Sequence, residues 1–103
     1  MSRDPVLIRF LAALEAAYGD RLERAVLFGS RARGEERPDS DYDVAVFLKG
    51  SDGWFEEIIR LASLTTDILM ETGAVISAKP FLSGRYEQTS PVMRAIQREG
   101  QVL

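Results

Sequence analysis

The sequence predicts an α/β domain in which helices pack on one small β-sheet. Apolar residues alternate along the chain between helical spacing and short continuous runs, in the order helix, strand, loop, strand, helix, strand, helix. The composition is 46% hydrophobic and 28% charged, which is typical of a folded globular protein. A chain of 103 residues fits one hydrophobic core, so residues 1–103 are expected to form a single domain.

The N-terminal part is predicted to form a helix followed by a buried strand. Asp4 followed by Pro5 is typical of an N-cap with proline at the first helical position. The apolar run 25–28 lies between charged residues and Gly29, which favours a strand that ends at the glycine. The helical spacing before it runs through Leu7, Leu11, Leu14 and Tyr18 and stops at Gly19-Asp20.

A polar segment and a second strand follow. Residues 31–40 contain Gly34 and Pro38 and are predicted to hold at most one turn of helix. Residues 41–48 are predicted to form a strand, whose two-residue period divides its side chains between two faces. One face carries Asp41, Asp43, Ala45 and Phe47, and the other carries Tyr42, Val44, Val46 and Leu48. The two aspartates are therefore expected to share a face.

The C-terminal half is predicted to form a long helix, a third strand and a short last helix. After a turn at 49–53, the long helix spans roughly residues 54–72 and is closed by Gly73. Residues 74–81 are predicted to form a strand that proline ends, and Ser90-Pro91 caps a helix running to about residue 99. Trp54 and Met70 are assigned to core or helix-face positions. Helical spacing predicts that the apolar face of the long helix consists of Phe55, Ile58, Ile59, Ala62, Thr66 and Leu69.

Charge and composition exclude several classes of function. The formal net charge is -3, so the chain lacks the basic field that holds long DNA or RNA. Histidine and cysteine are both absent, which excludes zinc sites, thiol nucleophiles and imidazole bases. Carboxylates remain as the only metal ligands, and they select hard cations such as Mg²⁺ or Mn²⁺.

The N-terminus carries charges and lacks a long uninterrupted apolar run. It therefore resembles neither a signal peptide nor a membrane span. The sequence predicts a cytoplasmic protein that does not bind a membrane. It leaves open whether a second copy of the chain associates with the first.

Four residues on two neighbouring strands form a motif with a clear chemistry. If the first two strands are antiparallel neighbours, Gly29-Ser30 at the end of one meets Asp41 and Asp43 at the start of the other. A Gly-Ser turn offers amide groups and a hydroxyl to a phosphate, without a Cβ to obstruct it. Aspartates two apart can jointly hold a divalent cation that bridges those phosphates. The motif therefore predicts nucleotidyl transfer.

The segment LFGSRARG followed by SDYDVAVFL resembles the G-S-x10-D-x-D signature of the DNA polymerase beta-like nucleotidyltransferase superfamily. Residues 31–40 supply the ten intervening positions. With its small size, the chain is similar to the minimal nucleotidyltransferases of prokaryotes, many of which are antitoxin partners of small helical HEPN toxins. The resemblance implies the nucleotidyltransferase fold, with a mixed sheet and flanking helices.

The same resemblance implies roles for particular residues. Gly29 and Ser30 would contact the triphosphate of ATP or another nucleoside triphosphate, and Asp41 and Asp43 would bind Mg²⁺. The implied reaction transfers AMP from ATP to a hydroxyl, namely a tyrosine of a cognate HEPN toxin, which silences the toxin.

One expected residue is missing. The family places a third carboxylate on a neighbouring strand, but the predicted third strand offers Ser77 and Lys79, and the nearest acids, Asp67 and Glu71, belong to the preceding helix. An alternative function is therefore a degenerate member that binds a nucleotide, or that blocks its partner by contact alone. Transfer to a small molecule is a third option, which the limited surface of 103 residues disfavours.

The remaining polar residues of the segment allow more than one role. Arg31 and Arg33 are candidates for binding the nucleotide phosphates, or for ion pairs with neighbouring acids. Ser40 and Tyr42 are both assigned to structure, because Ser40 can cap a turn before the strand and Tyr42 points away from the acids. Asp39, Asp41 and Asp43 alternate as in a calcium loop, but the sixth and twelfth positions, Val44 and Gly50, do not fit that motif.

Overall fold

The first helix begins and ends where the sequence predicts. The computed structural model describes residues 4–35, 37, 40–50 and 53–103. Helix α1 spans Pro5–Tyr18, and the Asp4 carboxylate caps it by accepting a hydrogen bond of 2.8 Å from the Val6 amide. Gly19, with φ 54°, ends the helix and opens a 3₁₀ turn, Gly19–Arg21.

Four strands form one mixed sheet, which confirms the predicted α/β fold. They are β1 (Leu22–Phe28), β2 (Tyr42–Leu48), β3 (Ile76–Leu82) and β4 (Gln101–Val102). Their order is β3-β2-β1-β4, with β1 antiparallel to both β2 and β4 and with β2 parallel to β3. The predicted antiparallel pairing of the first two strands is thus confirmed.

Three helices cover the two faces of this sheet. Helices α1 and α2 (Trp54–Thr72) pack on the face that carries Tyr42, Val44 and Val46. Helix α3 (Pro91–Glu99) packs through Met93 and Ile96 on the face that carries Ala45 and Phe47. The predicted alternation is confirmed for the apolar residues of β2, whose two sets enter two separate cores. Asp41, which was predicted to begin this strand, precedes it.

The outer strands differ from the prediction. Proline does not end β3, because Pro80 lies inside the strand, which continues to Leu82. Strand β3 is at the edge of the sheet, where a residue without an amide N–H leaves no neighbouring carbonyl unpaired. Strand β1 begins three residues before the apolar run, at Leu22, and β4 was not predicted because two residues show no periodicity.

Helix α2 has the predicted bounds, but its predicted core face is wrong. The buried residues are Glu57, Leu61 and Ile68, whereas the predicted apolar residues Phe55 and Ile59 are exposed. Trp54 and Met70 are exposed too. The remaining members of the predicted face are also exposed, namely Ile58, Ala62, Thr66 and Leu69. Helical spacing finds an apolar stripe but does not show which stripe meets the sheet.

A buried carboxylate anchors the start of α2. Glu57 is 1% exposed and pairs with Arg21 at 2.5 Å and with Arg60 at 3.0 Å. Both guanidinium groups also lie over the ring of Tyr18, at 5.7 and 5.6 Å from its centroid. Two cations compensate the burial of one carboxylate, and together they tie α2 to the end of α1.

Among the described helices, none has the length and apolar content needed to span a membrane.

Candidate nucleotide and metal site

Gly29 lies close to the Asp43 carboxylate, at the end of the sheet where β1 stops and β2 starts. Phe28, the last residue of β1, is in register with Asp43 on β2. Gly29 follows with φ 78°, and a Cβ placed on it would overlap the Asp43 carboxylate, with Cγ 3.2 Å and Cβ 3.3 Å away. Only glycine fits this position, because it tolerates the backbone angle and leaves room for the acid. The chain thus brings the two halves of the predicted motif together.

A single helical turn follows the glycine, as expected for this segment. The amide of Arg33 donates to the carbonyl of Gly29 at 3.2 Å, and that of Glu35 donates to the carbonyl of Ser30 at 2.9 Å. The first amides of such a turn have no hydrogen-bond acceptor within it. Beside a strand end, they form the kind of cradle that binds phosphate oxygens.

Of the two aspartates of the motif, Asp43 lies beside this turn. Asp41 is exposed and precedes β2, while Asp43 is half-buried and points to the α3 side of the sheet with Ala45 and Phe47. No group of three or more acids suited to a metal exists within the described parts of the chain. Two carboxylates still fit Mg²⁺, which typically takes one or two from the protein and completes its shell with water and substrate phosphates.

Arg31 is held by the residues around the start of β2. Its Nε donates to the carbonyl of Ser40 at 2.9 Å, and its guanidinium lies 3.9 Å from the ring centroid of Tyr42. The Tyr42 ring belongs to the core beneath α1 and α2, and its hydroxyl donates to Asp4 at 2.7 Å. Arg31 therefore fastens the two ends of the intervening segment. The expected structural roles of Ser40 and Tyr42 are confirmed, since Ser40 Oγ accepts from the Arg37 amide at 2.8 Å.

Arg33 lies on the surface between two acids. Its guanidinium pairs with Glu35 and with Glu99, each at 3.0 Å, and both contacts raise its pKa above the ordinary value. Glu99 ends α3, and just beyond it Gln101 donates to the carbonyl of Ala32 at 3.0 Å. The C-terminal residues therefore brace the turn that follows Gly29. Sequence reasoning missed both residues, because neither belongs to a motif.

Strand β3 supplies no acid where the family pattern leads one to expect it. Ser77 is in register with Asp43, and Lys79 is in register with Ala45, so both belong to the α3 face. The Lys79 ammonium is 5.7 Å from the ring centroid of Phe28. Of the two helical acids, Glu71 pairs with Arg9 at 3.0 Å, and Arg9 lowers the pKa of Glu71. Asp39 lies outside the described residues.

The fold and the sequence motif are those of the nucleotidyltransferase family. Residues 14–103 match the model of the family described as "Polymerase beta, Nucleotidyltransferase". The match covers most of the chain, and the chain belongs to this family.

Individual relatives agree with this assignment. The chain is 33% identical over 78 residues to "Putative protein adenylyltransferase MJ0604" of Methanocaldococcus jannaschii, covering 76% of this chain and 72% of that protein. A crystal structure of "the toxin-antitoxin with AMP-PNP" matches 92% of this chain and 69% of its own, with TM-score 0.66 and 18% identity. A "putative minimal nucleotidyltransferase" of known structure matches all of this chain and 97% of its own, with TM-score 0.64 and 24% identity. These structural matches show a shared fold.

Proposed function

We propose that this protein transfers AMP from ATP to a tyrosine hydroxyl of a cognate HEPN toxin and thereby acts as its antitoxin. The observation that supports the proposal is the closeness of Gly29 to the Asp43 carboxylate. In the proposal the turn at Gly29 is the phosphate cradle and Asp43 is a metal ligand. The adenylyltransferase relative supports the nucleotide and the reaction. The toxin–antitoxin neighbour, whose own description includes an ATP analogue, supports the kind of partner.

In this proposal the two halves of the motif have separate tasks. Gly29 and Ser30 hold the triphosphate through the amides of their turn, and Asp41 and Asp43 hold Mg²⁺. Bound there, Mg²⁺ would neutralise the charge that develops on the triphosphate during transfer. The acceptor oxygen forms a bond to the α-phosphorus and gives up its proton to solvent, while the bond from that phosphorus to the bridging oxygen breaks and pyrophosphate leaves with the bonding electron pair.

The two arginines differ in how freely they can reach a nucleotide. Arg33 is exposed, and the carboxylates of Glu35 and Glu99 occupy its guanidinium. A phosphate can exchange with surface carboxylates at small cost, because exposed ion pairs are weak. Arg31 instead donates to a backbone carbonyl and stacks on Tyr42. We assign phosphate contact to Arg33 and positioning of the loop to Arg31.

A second function is favoured by one observation. Strand β3 carries no acid, and Ser77 occupies its register position beside Asp43. A chain without a carboxylate at this position could bind ATP, or only its partner, and act as antitoxin by contact alone. The binding module is therefore the competing proposal.

A direct assay separates the two functions. The purified protein is incubated with ATP, Mg²⁺ and the HEPN toxin, and the intact mass of the toxin is measured. We expect the wild-type chain to add AMP to the toxin and Asp41→Asn to add none. Asp20→Asn is the control, because Asp20 is also an exposed aspartate but lies in the turn after α1. Unmodified toxin, neutralised equally well by wild type and Asp41→Asn, would establish the binding module instead.

A further inference from the structure

Helix α2 presents an apolar stripe to solvent on the side opposite its core contacts. The stripe includes Phe55, which is 69% exposed, Ile59 at 52% and Met70 at 81%. Phe55 and Ile59 are four positions apart, and Met70 follows eleven positions, or about three turns, later. The three therefore lie along one face of a helix about 28 Å long, with the polar Thr66 between Ile59 and Met70. We call this face the outer stripe of α2; its members are Phe55, Ile58, Ile59, Ala62, Leu69 and Met70.

The outer stripe continues into further apolar surface at the start of the helix. Trp54 is 58% exposed and lines a cavity of about 290 Å³ together with Leu82 and Arg85. This volume is just below that of most small-molecule pockets, roughly 300–1,000 Å³. The cavity suits a single side chain inserted from a docked protein, which is how interface anchors bind.

The other end of the stripe reaches the edge of the sheet that carries the site. Helix α2 connects the parallel strands β2 and β3, so it runs back toward the start of both. After its last turn, the carbonyl of Val75 accepts a hydrogen bond of 2.9 Å from the amide of Tyr42, next to Asp41. A partner bound along the stripe past Met70 therefore reaches the end of the sheet at which Asp41 lies. Because Asp43 points to the opposite, α3 face, such a partner must extend around that end to reach it.

Two acidic residues, Glu56 and Asp67, border the stripe on one side. Arg60 lies between them on that side and pairs with Glu57 at 3.0 Å. Glu56 and Asp67 each follow a stripe-facing position by one residue, which turns both by about 100° to the same side of the helix. Both are exposed, and Glu56 also lies against the backbone of Gly53. The opposite border is apolar, with Ile58 and Leu69.

This charge pattern disfavours a second copy of the chain as the occupant. Two α2 helices packed antiparallel about a two-fold axis would place the acidic borders against each other, with Glu56 near Asp67 of the other copy. Packed parallel, each acidic border would meet the apolar border of the other helix. The first arrangement opposes like charges and the second desolvates carboxylates, and both are costly.

We infer that the outer stripe docks a helix of a different protein, one whose apolar face is bordered by Lys or Arg on the side that meets Glu56 and Asp67. The inference rests on the proposed function in taking the HEPN toxin as that protein. It assigns to α2 the task of holding the toxin so that its acceptor hydroxyl reaches the Asp41 edge. Stripe residues position the substrate and take no part in the reaction.

The test is the affinity of the toxin for matched variants, measured by calorimetry without ATP. Ile59→Gln changes the middle of the stripe, and Val92→Gln is its control. Val92 is a similarly exposed aliphatic residue, at 44%, on α3 across the sheet. We expect Ile59→Gln to raise the Kd by about tenfold or more, as a truncated interface anchor does, and Val92→Gln to leave it unchanged. Asp67→Asn should raise the Kd less and reduce its dependence on salt.

Each outcome shows whether the toxin docks on the outer stripe, independently of whether AMP is transferred. Equal affinity of wild type and Ile59→Gln, equal weakening by Val92→Gln, or no binding of the toxin would overturn the inference. So would self-association of the protein alone in sedimentation velocity that Ile59→Gln abolishes, since a second copy would then cover the stripe. Stripe-dependent binding without any transfer of AMP would leave the inference intact and reject the proposed enzymatic function. Where transfer occurs, Ile59→Gln should raise the KM for the toxin and leave kcat near the wild-type value.

Discussion

At the scale of single residues, two glycines of the same turn separate the effects of backbone angle and of close contact. Gly29 and Gly34 have φ values of 78° and 73°, which residues other than glycine seldom adopt. A Cβ on Gly34 would meet no atom within 4 Å, whereas one on Gly29 would overlap the Asp43 carboxylate. The two positions therefore share the cost of the angle and differ in the contact.

We predict that Gly29→Ala is the more damaging of the two alanine substitutions. Gly34→Ala should lower the free energy of unfolding by about 1 kcal/mol through the backbone angle alone. Gly29→Ala should lower it by roughly 2–3 kcal/mol and also abolish ATP binding, because Asp43 must move. Chemical denaturation and calorimetry measure the two effects. Equal losses in both variants would contradict the close packing of Gly29 on Asp43.

Tyr18 provides a prediction about pH. Its hydroxyl is buried and has no hydrogen-bond partner within the described part of the chain. Burial, reinforced by the nearby Glu57 carboxylate, raises the pKa of Tyr18. The folded state thus retains the phenol proton more strongly than the unfolded state. The resulting stability is complete below the unfolded pKa of about 10 and is lost as the pH rises toward the folded pKa.

Tyr18→Phe should therefore flatten the alkaline end of the stability profile. Near neutral pH it should change the free energy of unfolding by less than about 1 kcal/mol, since the lost hydroxyl has no partner to leave unpaired. Above about pH 10 the free energy of unfolding of Tyr18→Phe should fall less steeply with pH than that of the wild type. Urea denaturation at several pH values gives both quantities. A steeper fall for Tyr18→Phe would show that the phenol is not held neutral by burial.

At the scale of elements, the register between β2 and β3 identifies the position on β3 at which a third carboxylate would lie beside Asp43. Ser77 is the partner of Asp43 and shares its face of the sheet. An acid at this position would stand beside Asp43. We predict that Ser77→Asp tightens Mg²⁺ binding by about tenfold, because a further carboxylate adds charge and a ligand to the site.

The neutral substitution Ser77→Asn is the matched control for that prediction. It has nearly the size of aspartate but lacks its charge, so it should leave Mg²⁺ affinity close to the wild-type value. Magnesium titrations in the presence of ATP compare the three proteins. If Ser77→Asp binds Mg²⁺ no better than Ser77→Asn, the register position is not part of the metal site.

The elements also show how far the sequence can predict this fold. Caps and breakers set the bounds of α2 and α3 correctly, because Gly73 and Ser90-Pro91 act locally. The core face of α2 was mispredicted, since the helix buries Glu57 and exposes Phe55. The ion pairs of Glu57 with Arg21 and Arg60 make that burial tolerable, and no local pattern reveals them.

At the scale of the whole molecule, the approach of Gly29 to Asp43 could be predicted because the two halves of the motif lie on adjacent strands. The antiparallel pairing of β1 and β2 places the end of one beside the start of the other, so Gly29 must meet Asp43. Contacts between distant segments could not be predicted. Glu99 and Gln101 reach the turn after Gly29 only once α3 has packed on the sheet.

The most direct test of the account is the binding of ATP, measured by calorimetry with Mg²⁺ and with a chelator. We predict binding by the wild-type chain only when Mg²⁺ is present, because the carboxylates of Asp41 and Asp43 repel the triphosphate until a cation bridges them. Asp43→Asn should weaken binding by about tenfold or more, equivalent to about 1.4 kcal/mol, while Asp20→Asn should bind as wild type does. Equal affinity for ATP with Mg²⁺ and with the chelator, or no binding in either condition, would contradict the assignment of Gly29, Ser30, Asp41 and Asp43 as the nucleotide site.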